Sequence, residues 1–128
     1  MLQVKLIDFG SAVLFDPRRT LPYYDKFYGT VIFASPEILH GCAYLAPPAE
    51  VWSLGILFSV LLCGESIFRD SYHVLEGKIH QSMYDRLSGP CQDILRLCLH
   101  PDPSRRATIV DLFRHPYLRG TIAELRKL

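Results

Sequence analysis

The stretch AEVWSLGILFSVLLCG, which runs from Ala49 to Gly64, is apolar on almost every side when it is drawn as a helix. Only Glu50, Ser53 and Ser59 carry polar side chains within it. An apolar stripe would indicate a surface helix, whereas a helix that is apolar all round is one that other elements surround. The stretch therefore predicts the buried central helix of a mainly α-helical domain.

The residues that flank this stretch fit the two ends of a helix. Pro47 and Pro48 can occupy its first turn, and Gly64 can end it in the left-handed conformation. A membrane span would need about 20 consecutive apolar residues, whereas this run is shorter and is broken by Ser53 and Ser59. We therefore expect a core helix and no membrane partner.

The composition of the chain excludes other classes of function. Its 128 residues suffice for one domain, and a formal net charge of +1 gives no field that would attract nucleic acid or an anionic membrane. The first residues favour a strand over a secretory signal, so we expect an intracellular protein, either cytoplasmic or nuclear. Irregularly spaced cysteines support this location as reduced packing residues: Cys42, Cys63, Cys91 and Cys98.

A short strand is predicted over Gln3 to Ile7, directly before Asp8-Phe9-Gly10. The only candidate partner is the brief run Val31 to Phe33, and a lone strand cannot satisfy its backbone groups. We therefore expect that part of the domain lies upstream of this chain. A carboxylate at a strand end can bind a hard cation such as Mg²⁺, although a local turn would use the same three residues equally well.

The order of the later motifs favours the chemical role over the turn. Asp8-Phe9-Gly10 is followed by the run Gly29 to Glu37, which reads GTVIFASPE, and then by the central helix with Glu50 to Gly55. This order closely resembles the C-terminal lobe of a eukaryotic protein kinase. The resemblance implies a partial protein-kinase-like domain over residues 1–118, a helical fragment with a vestigial N-terminal strand, and a helical tail over 119–128.

The resemblance assigns roles to the tripeptide and to one threonine. It implies that Asp8 holds Mg²⁺ on the phosphates of ATP, and that the packing of Phe9 reports the active or inactive state. Gly10 would supply the pivot. Thr30 would contact the catalytic loop and form the floor for the acceptor residue of the substrate, whereas the alternative is a β-branched residue in a local turn.

Four further residues have structural roles by resemblance. Arg106 is expected to form a buried ion pair with Glu37, which would tie the end of the activation segment to the base of the lobe. Glu50 stands where the family has aspartate, so we expect a weaker contact to the catalytic loop. Trp52 belongs to the same motif on the central helix. Ser35 is a milder departure, because the family usually has alanine there.

The motif details imply a serine/threonine kinase rather than a tyrosine kinase. Thr30 and Phe33 fit the serine/threonine branch, and the residues after Asp8-Phe9-Gly10 look most like the PAS-kinase and PIM subgroup. In that subgroup acidic groups face basic substrates, a role that falls here on Glu65 and Asp70. The alternative for both is a solvated loop carboxylate.

Two functions remain open. The sequence contains no Gly-rich phosphate loop, no strand lysine and no His-Arg-Asp catalytic loop. We therefore expect a serine/threonine kinase, with ATP and Mg²⁺ as cofactors and a protein as substrate only in a complete domain, and an inactive chain by itself. The competing reading is a non-catalytic kinase-lobe module that docks substrates or regulates a full kinase.

The remaining elements are predicted from periodicity and caps. Ser71 begins a short helix that runs to about Ile79, and residues 81–89 form a loop. Ser88 caps the next helix, and Thr108 caps a helix over Ile109 to Arg114. A separate terminal helix begins at Thr121, with Glu124 completing a capping box.

Overall fold

The computed structural model describes residues 4–14, 16 and 18–125, with side chains described as far as residue 120. The chain is mainly α-helical, as predicted, with one two-stranded sheet. In chain order the elements are β1 Tyr23–Tyr24, a 3₁₀ helix Val31–Phe33, α1 Pro36–Leu39, β2 Tyr44–Leu45, α2 Ala46–Cys63, α3 Ser71–Leu75, α4 Gln81–Tyr84, α5 Gly89–Cys98, α6 Ile109–Arg114 and α7 Pro116–Leu125.

The N-terminal strand predicted over residues 3–7 is wrong in its described part. Residues 4–7 form no strand, and Val4 and Ile7 are 94% and 83% exposed, whereas Gln3 lies outside the described residues. A strand forms only where a partner satisfies its backbone groups, and no described element pairs with this segment. The sheet lies elsewhere, because β1 pairs antiparallel with β2.

The central helix α2 has the ends that its flanks predict. Pro47 lies in its first turn, and Gly64 ends it with a left-handed φ of 84°. The middle of α2 packs closely on α5 through Gly55, where an added Cβ would stand 2.7 Å from the Cβ of Cys98. Burial raises the pKa of the Cys98 thiol to about 12, so this residue packs as an uncharged group.

Burial of α2 on every side is a prediction that the structure corrects. The face with Trp52 and Ile56 is buried, but Leu57 and Leu61 on the other side are 44% and 71% exposed. The described elements surround only part of the helix, which is why its apolar residues continue into solvent. Among the described residues, α2 is the one helix long and apolar enough to cross a membrane, a test that core helices also pass.

Two apolar clusters share α2 as their common wall. The first joins Trp52 and Ile56 to the loop before α3, to α3 itself and to Leu95 of α5. The second joins Val51 to α5 and α6. Inside the first cluster, the hydroxyl of Ser59 accepts the backbone N–H of Ile67 at 3.1 Å, which fixes that loop on α2.

The helices after α2 differ from their predicted bounds. α3 ends at Leu75 because Gly77 adopts a left-handed φ of 63° and turns the chain. The loop predicted over 81–89 contains the short helix α4. This helix is held by tertiary contacts, since the hydroxyl of Tyr84 donates to the carbonyl of Gln92 and the Gln92 amide donates back to that of Tyr84.

The caps of the last helices are partly as predicted. Thr108 and Asp111 form a reciprocal capping box at the start of α6, which confirms Thr108 as its cap. Ser88 precedes α5, but its side chain makes no capping hydrogen bond. The prediction of a separate terminal helix from Thr121 is wrong, because α7 runs continuously from Pro116 to Leu125. The predicted end of the kinase-like domain at residue 118 lies within this helix. The side chains of Thr121 and Glu124 lie outside the described part.

Replacing Gly55 with alanine is expected to lower the free energy of unfolding, because the new Cβ must push Cys98 and Leu99 away at a cost of about 1–3 kcal/mol. Alanine favours a helix over glycine by about 1 kcal/mol, so the expected net loss is up to about 2 kcal/mol. Urea unfolding monitored by circular dichroism measures the change. Gly120→Ala is the matched control, since no atom lies within 4 Å of its added Cβ, and equal behaviour of the two variants would contradict the close packing.

Candidate functional site

The segment with Asp8, Phe9 and Gly10 lies on the surface of the described part. Asp8 has a left-handed φ of 62°, a conformation that aspartate tolerates better than most residues. The carbonyl of Phe9 accepts the backbone N–H of Ala12 at 3.0 Å, so the chain turns around Gly10. Phe9 is 67% exposed. The turn presents the Asp8 carboxylate to solvent.

Asp8 has the donor chemistry of a magnesium ligand but supplies only one carboxylate. Mg²⁺ prefers hard oxygen donors and is commonly held by one or two carboxylates together with substrate phosphates and water. Within the described residues no group of three His, Cys, Asp or Glu side chains could hold a metal. Asp8 therefore fits one position of a magnesium shell whose other ligands would be phosphates, water and residues elsewhere.

Thr30 begins the 3₁₀ helix that leads into α1. Its carbonyl accepts the N–H of Phe33 at 2.9 Å, and its hydroxyl makes no capping hydrogen bond. Ser53 on α2 then donates to the carbonyl of Phe33 at 3.1 Å, which ties this turn to the central helix. The turn is thus fixed by its backbone, while the Thr30 side chain remains exposed.

A cleft of about 320 Å³ separates the segment before Thr30 from the start of α2. Glu50 and Ser53 line it from α2, and Asp25 and Tyr28 line it from the opposite side. Glu50 is exposed, so its carboxylate is free to accept a hydrogen bond from a group that enters the cleft. The structure thus places two predicted features, the activation segment and Glu50, around one opening.

The ion pair predicted between Glu37 and Arg106 is present. Two parallel hydrogen bonds of 2.8 and 2.9 Å join the guanidinium to the two carboxylate oxygens. The Arg106 side chain is fully buried, and that of Glu37 is 11% exposed. This bidentate geometry is the strong form of an arginine–carboxylate contact. It joins α1 to the segment that precedes α6, 69 residues later.

Every N–H group of Arg106 has an acceptor. Besides the two bonds to Glu37, the guanidinium donates to the carbonyls of Pro48 at 2.8 Å, His100 at 2.9 Å and Pro101 at 3.3 Å. These five bonds use the full donor capacity of arginine. We call Arg106 and these acceptors the arginine anchor, because it fastens α1 and the start of α2 to the loop after α5.

Trp52 covers the arginine anchor on its apolar side. The guanidinium carbon of Arg106 lies 5.1 Å from the centroid of the indole ring, within cation–π range. Phe68 stacks on the same indole with centroids 5.6 Å apart. Burial alone would raise the pKa of the Glu37 carboxyl, but the hydrogen bonds and the charge of Arg106 outweigh it, so that this pKa is lowered.

Asp70 has a structural role that the sequence prediction missed. Its carboxylate caps α3 by accepting the backbone N–H of His73 at 3.0 Å, and it also contacts the His73 ring nitrogen at 2.7 Å. Hydrogen bonds from His73 lower the pKa of the Asp70 carboxyl. Aspartate directly before a helix start was the available signal. Glu65 is exposed in the loop after α2.

Two groups of contacts have no signal in the sequence, namely the backbone carbonyls that bind Arg106 and the contact between His115 and Asp93. The carbonyls of Pro48, His100 and Pro101 that complete the arginine anchor carry no side-chain signal. His115 is buried and contacts the carboxylate of Asp93 at 3.0 Å, a link between α5 and the junction of α6 and α7 that depends on their packing. Neither set includes Asp8 or Thr30.

Known proteins of one family match this chain in sequence. A family model described as the protein kinase domain matches residues 1–118. The chain is 33% identical over 123 residues to the SNF-related serine/threonine-protein kinase of Rattus norvegicus and 35% identical over 119 residues to the protein kinase kin1 of Schizosaccharomyces pombe. It is 36% identical over 132 residues to the striated muscle preferentially expressed protein kinase of Danio rerio.

These alignments cover 91%, 90% and 98% of this chain but only 16%, 13% and 4% of the respective relatives. The chain therefore spans a small part of the length of the curated relatives it matches. The residues that the family model matches include the run of motifs from Asp8 to the segment around Arg106. The chain belongs to the protein kinase family.

Proposed function

We propose that this chain is the distal part of the C-terminal lobe of a serine/threonine protein kinase. In the complete domain the reaction is transfer of the γ-phosphoryl group of ATP to a serine or threonine of a protein substrate, within the cytoplasm or nucleus. The arginine anchor is the observation that carries the proposal. It fastens the end of the segment that begins at Asp8 onto α2, which is what a kinase lobe requires of its activation segment.

The proposal gives each surface residue a definite task. Asp8 would hold Mg²⁺, and the ion would supply charge neutralisation on the ATP phosphates. Gly10 lets the chain turn after Asp8. Phe9 is exposed, because no residue in the described part of the chain covers its ring. Thr30 and Glu50 face groups of the catalytic loop, with Glu50 at the cleft beside α2. The single carboxylate of Asp8 fits this scheme only as one ligand among several.

The chain by itself is proposed to be inactive, because its sequence contains no catalytic base, phosphate loop or nucleotide lysine. Phosphoryl transfer depends on those groups acting together in one geometry. The test is an ATP-dependent phosphorylation assay of the 128-residue chain beside a version extended upstream in the same transcript. Activity in the extended version alone supports the proposal.

A non-catalytic docking or regulatory lobe is the second candidate. For this candidate the exposed apolar residues of α2, Leu57 and Leu61, would be the surface that contacts another protein. The same residues serve the first candidate as the contact to the rest of the kinase domain. The transcript upstream of Met1 discriminates between the two, since an in-frame His-Arg-Asp segment supports the enzyme and its absence supports the docking lobe.

We further propose membership of the PAS-kinase and PIM subgroup, with Glu65 and Asp70 facing basic substrate residues. Both carboxylates are accessible, because Glu65 is exposed and the side chain of Asp70 is 52% exposed while it caps α3. A capping carboxylate keeps its charge and can still attract arginine. The cap also fixes where that charge stands, since it orients Asp70 on the first turn of α3.

Removing both charges in the extended protein is expected to lower turnover of arginine-rich peptides and to spare neutral peptides. The variant Glu65→Gln with Asp70→Asn does this without loss of the α3 cap, because asparagine is an equally good N-cap residue. Steady-state kinetics on both peptide classes measure the effect, and exposed charges of this kind are each worth about 0.2–1 kcal/mol. Glu76→Gln at the other end of α3 is the control. An equal loss on both peptide classes would contradict the substrate role.

A further inference from the structure

The segment that leads to Thr30 is attached to strand β2 by contacts to which the proposed function gives no role. β1 pairs antiparallel with β2, so that Tyr24 stands opposite Tyr44. The rings of these two tyrosines lie with their centroids 5.9 Å apart. The hydroxyl of Tyr44 reaches past the end of β1 and donates to the carbonyl of Lys26 at 3.0 Å. Because so short a pair of strands is marginal in water, this bond strengthens a weak attachment.

The bond from Tyr44 holds the stretch between β1 and Thr30. Among the described residues it is the one hydrogen bond that residues 26–28 make. The stretch is also closely folded, since a Cβ added at Gly29 would stand 2.7 Å from the ring of Phe27. The position of Thr30 therefore follows that of the carbonyl that Tyr44 holds.

Thr30 lies between two backbone carbonyls that are each held by a hydroxyl group. Before it in the chain, Tyr44 donates to the carbonyl of Lys26. After it, Ser53 of α2 donates to the carbonyl of Phe33 at 3.1 Å. β2 directly precedes α2, so both donors belong to one continuous part of the chain. The turn that contains Thr30 is therefore fixed on both sides relative to α2.

The phenol of Tyr44 remains a hydrogen-bond donor at neutral pH. Partial burial raises the pKa of this phenol above its ordinary value. The negative charges of Glu50 and Asp25 act in the same direction, because they disfavour a phenolate beside them. The uncharged hydroxyl has one hydrogen to donate, and the carbonyl of Lys26 accepts it.

We propose that Tyr44 is a positioning residue for the acceptor floor, the surface at Thr30 that supports the acceptor residue of the substrate. The inference rests on the proposed function, since it uses that role of Thr30. Tyr44 acts through Lys26, because its hydroxyl fixes the segment and the fixed segment sets where Thr30 stands. Without the hydroxyl the segment leaves β2 for part of the time, and the floor is then incomplete. A protein whose competent form is only partly populated binds its ligand more weakly by that fraction.

Tyr44→Phe in the extended protein removes the hydroxyl and keeps the ring on Tyr24. We expect KM for a peptide substrate to rise by about 2- to 10-fold, the factor that one neutral hydrogen bond contributes to an equilibrium. KM for ATP and kcat should stay unchanged, because the nucleotide side of the site, at Asp8, does not depend on this bond. A general structural loss would instead lower kcat through a smaller folded fraction and leave both KM values unchanged.

Tyr23→Phe is the matched control for this substitution. It makes the same chemical change on β1, where Tyr23 is 69% exposed and its hydroxyl has no hydrogen-bond partner in the described part of the chain. Its KM values and kcat should equal those of the unsubstituted protein.

Trypsin tests the contact without any catalytic activity, because it cleaves after Lys26. Cleavage of a segment that opens transiently follows the population of its open form. In the 128-residue chain, Tyr44→Phe should speed cleavage after Lys26 by about 2- to 10-fold, while cleavage after Arg19 stays constant as an internal reference. Mass spectrometry of native digests measures both rates, and Tyr23→Phe should be digested like the unsubstituted chain.

The two arms separate the contact from the kinase function. Equal cleavage after Lys26 with and without Tyr44→Phe overturns the contact, whatever the kinase assay gives. Faster cleavage with an unchanged peptide KM in an active extended protein overturns the positioning role, as does a rise in both KM values or a fall in kcat alone. An extended protein that is inactive without any substitution overturns the proposed function and, with it, the role of Tyr44 toward the acceptor, while the trypsin result still reports on the contact.

Discussion

Replacing Glu37 with glutamine is expected to lower the free energy of unfolding by roughly 3–5 kcal/mol, because it leaves the Arg106 guanidinium buried without its counter-charge. A domain of this kind is stable by about 5–15 kcal/mol, so the loss is a large fraction of the total. Arg106→Lys should have a comparable effect, since an ammonium cannot make the bidentate contact or reach all five acceptors. Urea unfolding followed by circular dichroism measures both changes.

Controls separate the ion pair from other effects of these substitutions. Arg105→Ala removes the exposed neighbouring arginine and should change the free energy of unfolding by less than about 0.5 kcal/mol. A double-mutant cycle isolates the pair itself, because Glu37→Gln should cost little once Arg106→Met has removed the charge. A full additive cost of Glu37→Gln in that background would show that the two side chains do not act together.

The isolated chain is expected to show no detectable phosphoryl transfer. General-base catalysis contributes about 10²–10⁴-fold to rates, and an electrostatic donor at the developing charge contributes about 10²–10³-fold. The single carboxylate of Asp8 cannot supply these factors. The assay is incorporation of labelled phosphate from ATP into a generic basic peptide, with Asp8→Asn as the background control. Incorporation by the chain above that background would refute this expectation.

The exposed apolar residues predict that the isolated chain associates in solution. Leu6, Leu57 and Leu61 are 81%, 44% and 71% exposed, so the described chain leaves apolar surface in water. Exposed apolar patches of this kind are also aggregation sites. Light scattering at rising concentration should therefore detect association in the isolated chain, and upstream residues that cover α2 should reduce it.

The features predicted correctly are those that local chemistry decides. Gly64 ends α2 because a residue without Cβ adopts the left-handed conformation at no steric cost, and Thr108 caps α6 through its own hydroxyl. The contact between Glu37 and Arg106 came from the order of motifs, since no local pattern links residues so far apart in sequence. Local caps and a family resemblance thus carried the prediction.

The features predicted wrongly depend on tertiary partners. The segment before Asp8 has strand-like residues but no described partner, so its backbone does not pair. α4 is held by a hydrogen bond between Tyr84 and Gln92, eight residues apart. The short sequence of α4 does not predict this contact. The three carbonyls that complete the arginine anchor belong to backbone, whose position only the fold determines. The sequence thus indicated the helix ends and the ion pair between Glu37 and Arg106, while tertiary packing decided α4 and the backbone contacts of Arg106.

On the function proposed above, this chain supplies the magnesium-binding and substrate-facing part of a serine/threonine kinase. The most direct test is phosphoamino-acid analysis after ATP-dependent phosphorylation by the extended protein, with and without Asp8→Asn. We expect phosphoserine or phosphothreonine in the product and loss of nearly all incorporation in the Asp8→Asn variant, because the metal ligand is missing. Phosphotyrosine as the main product, or unchanged incorporation in a folded Asp8→Asn variant, would contradict it.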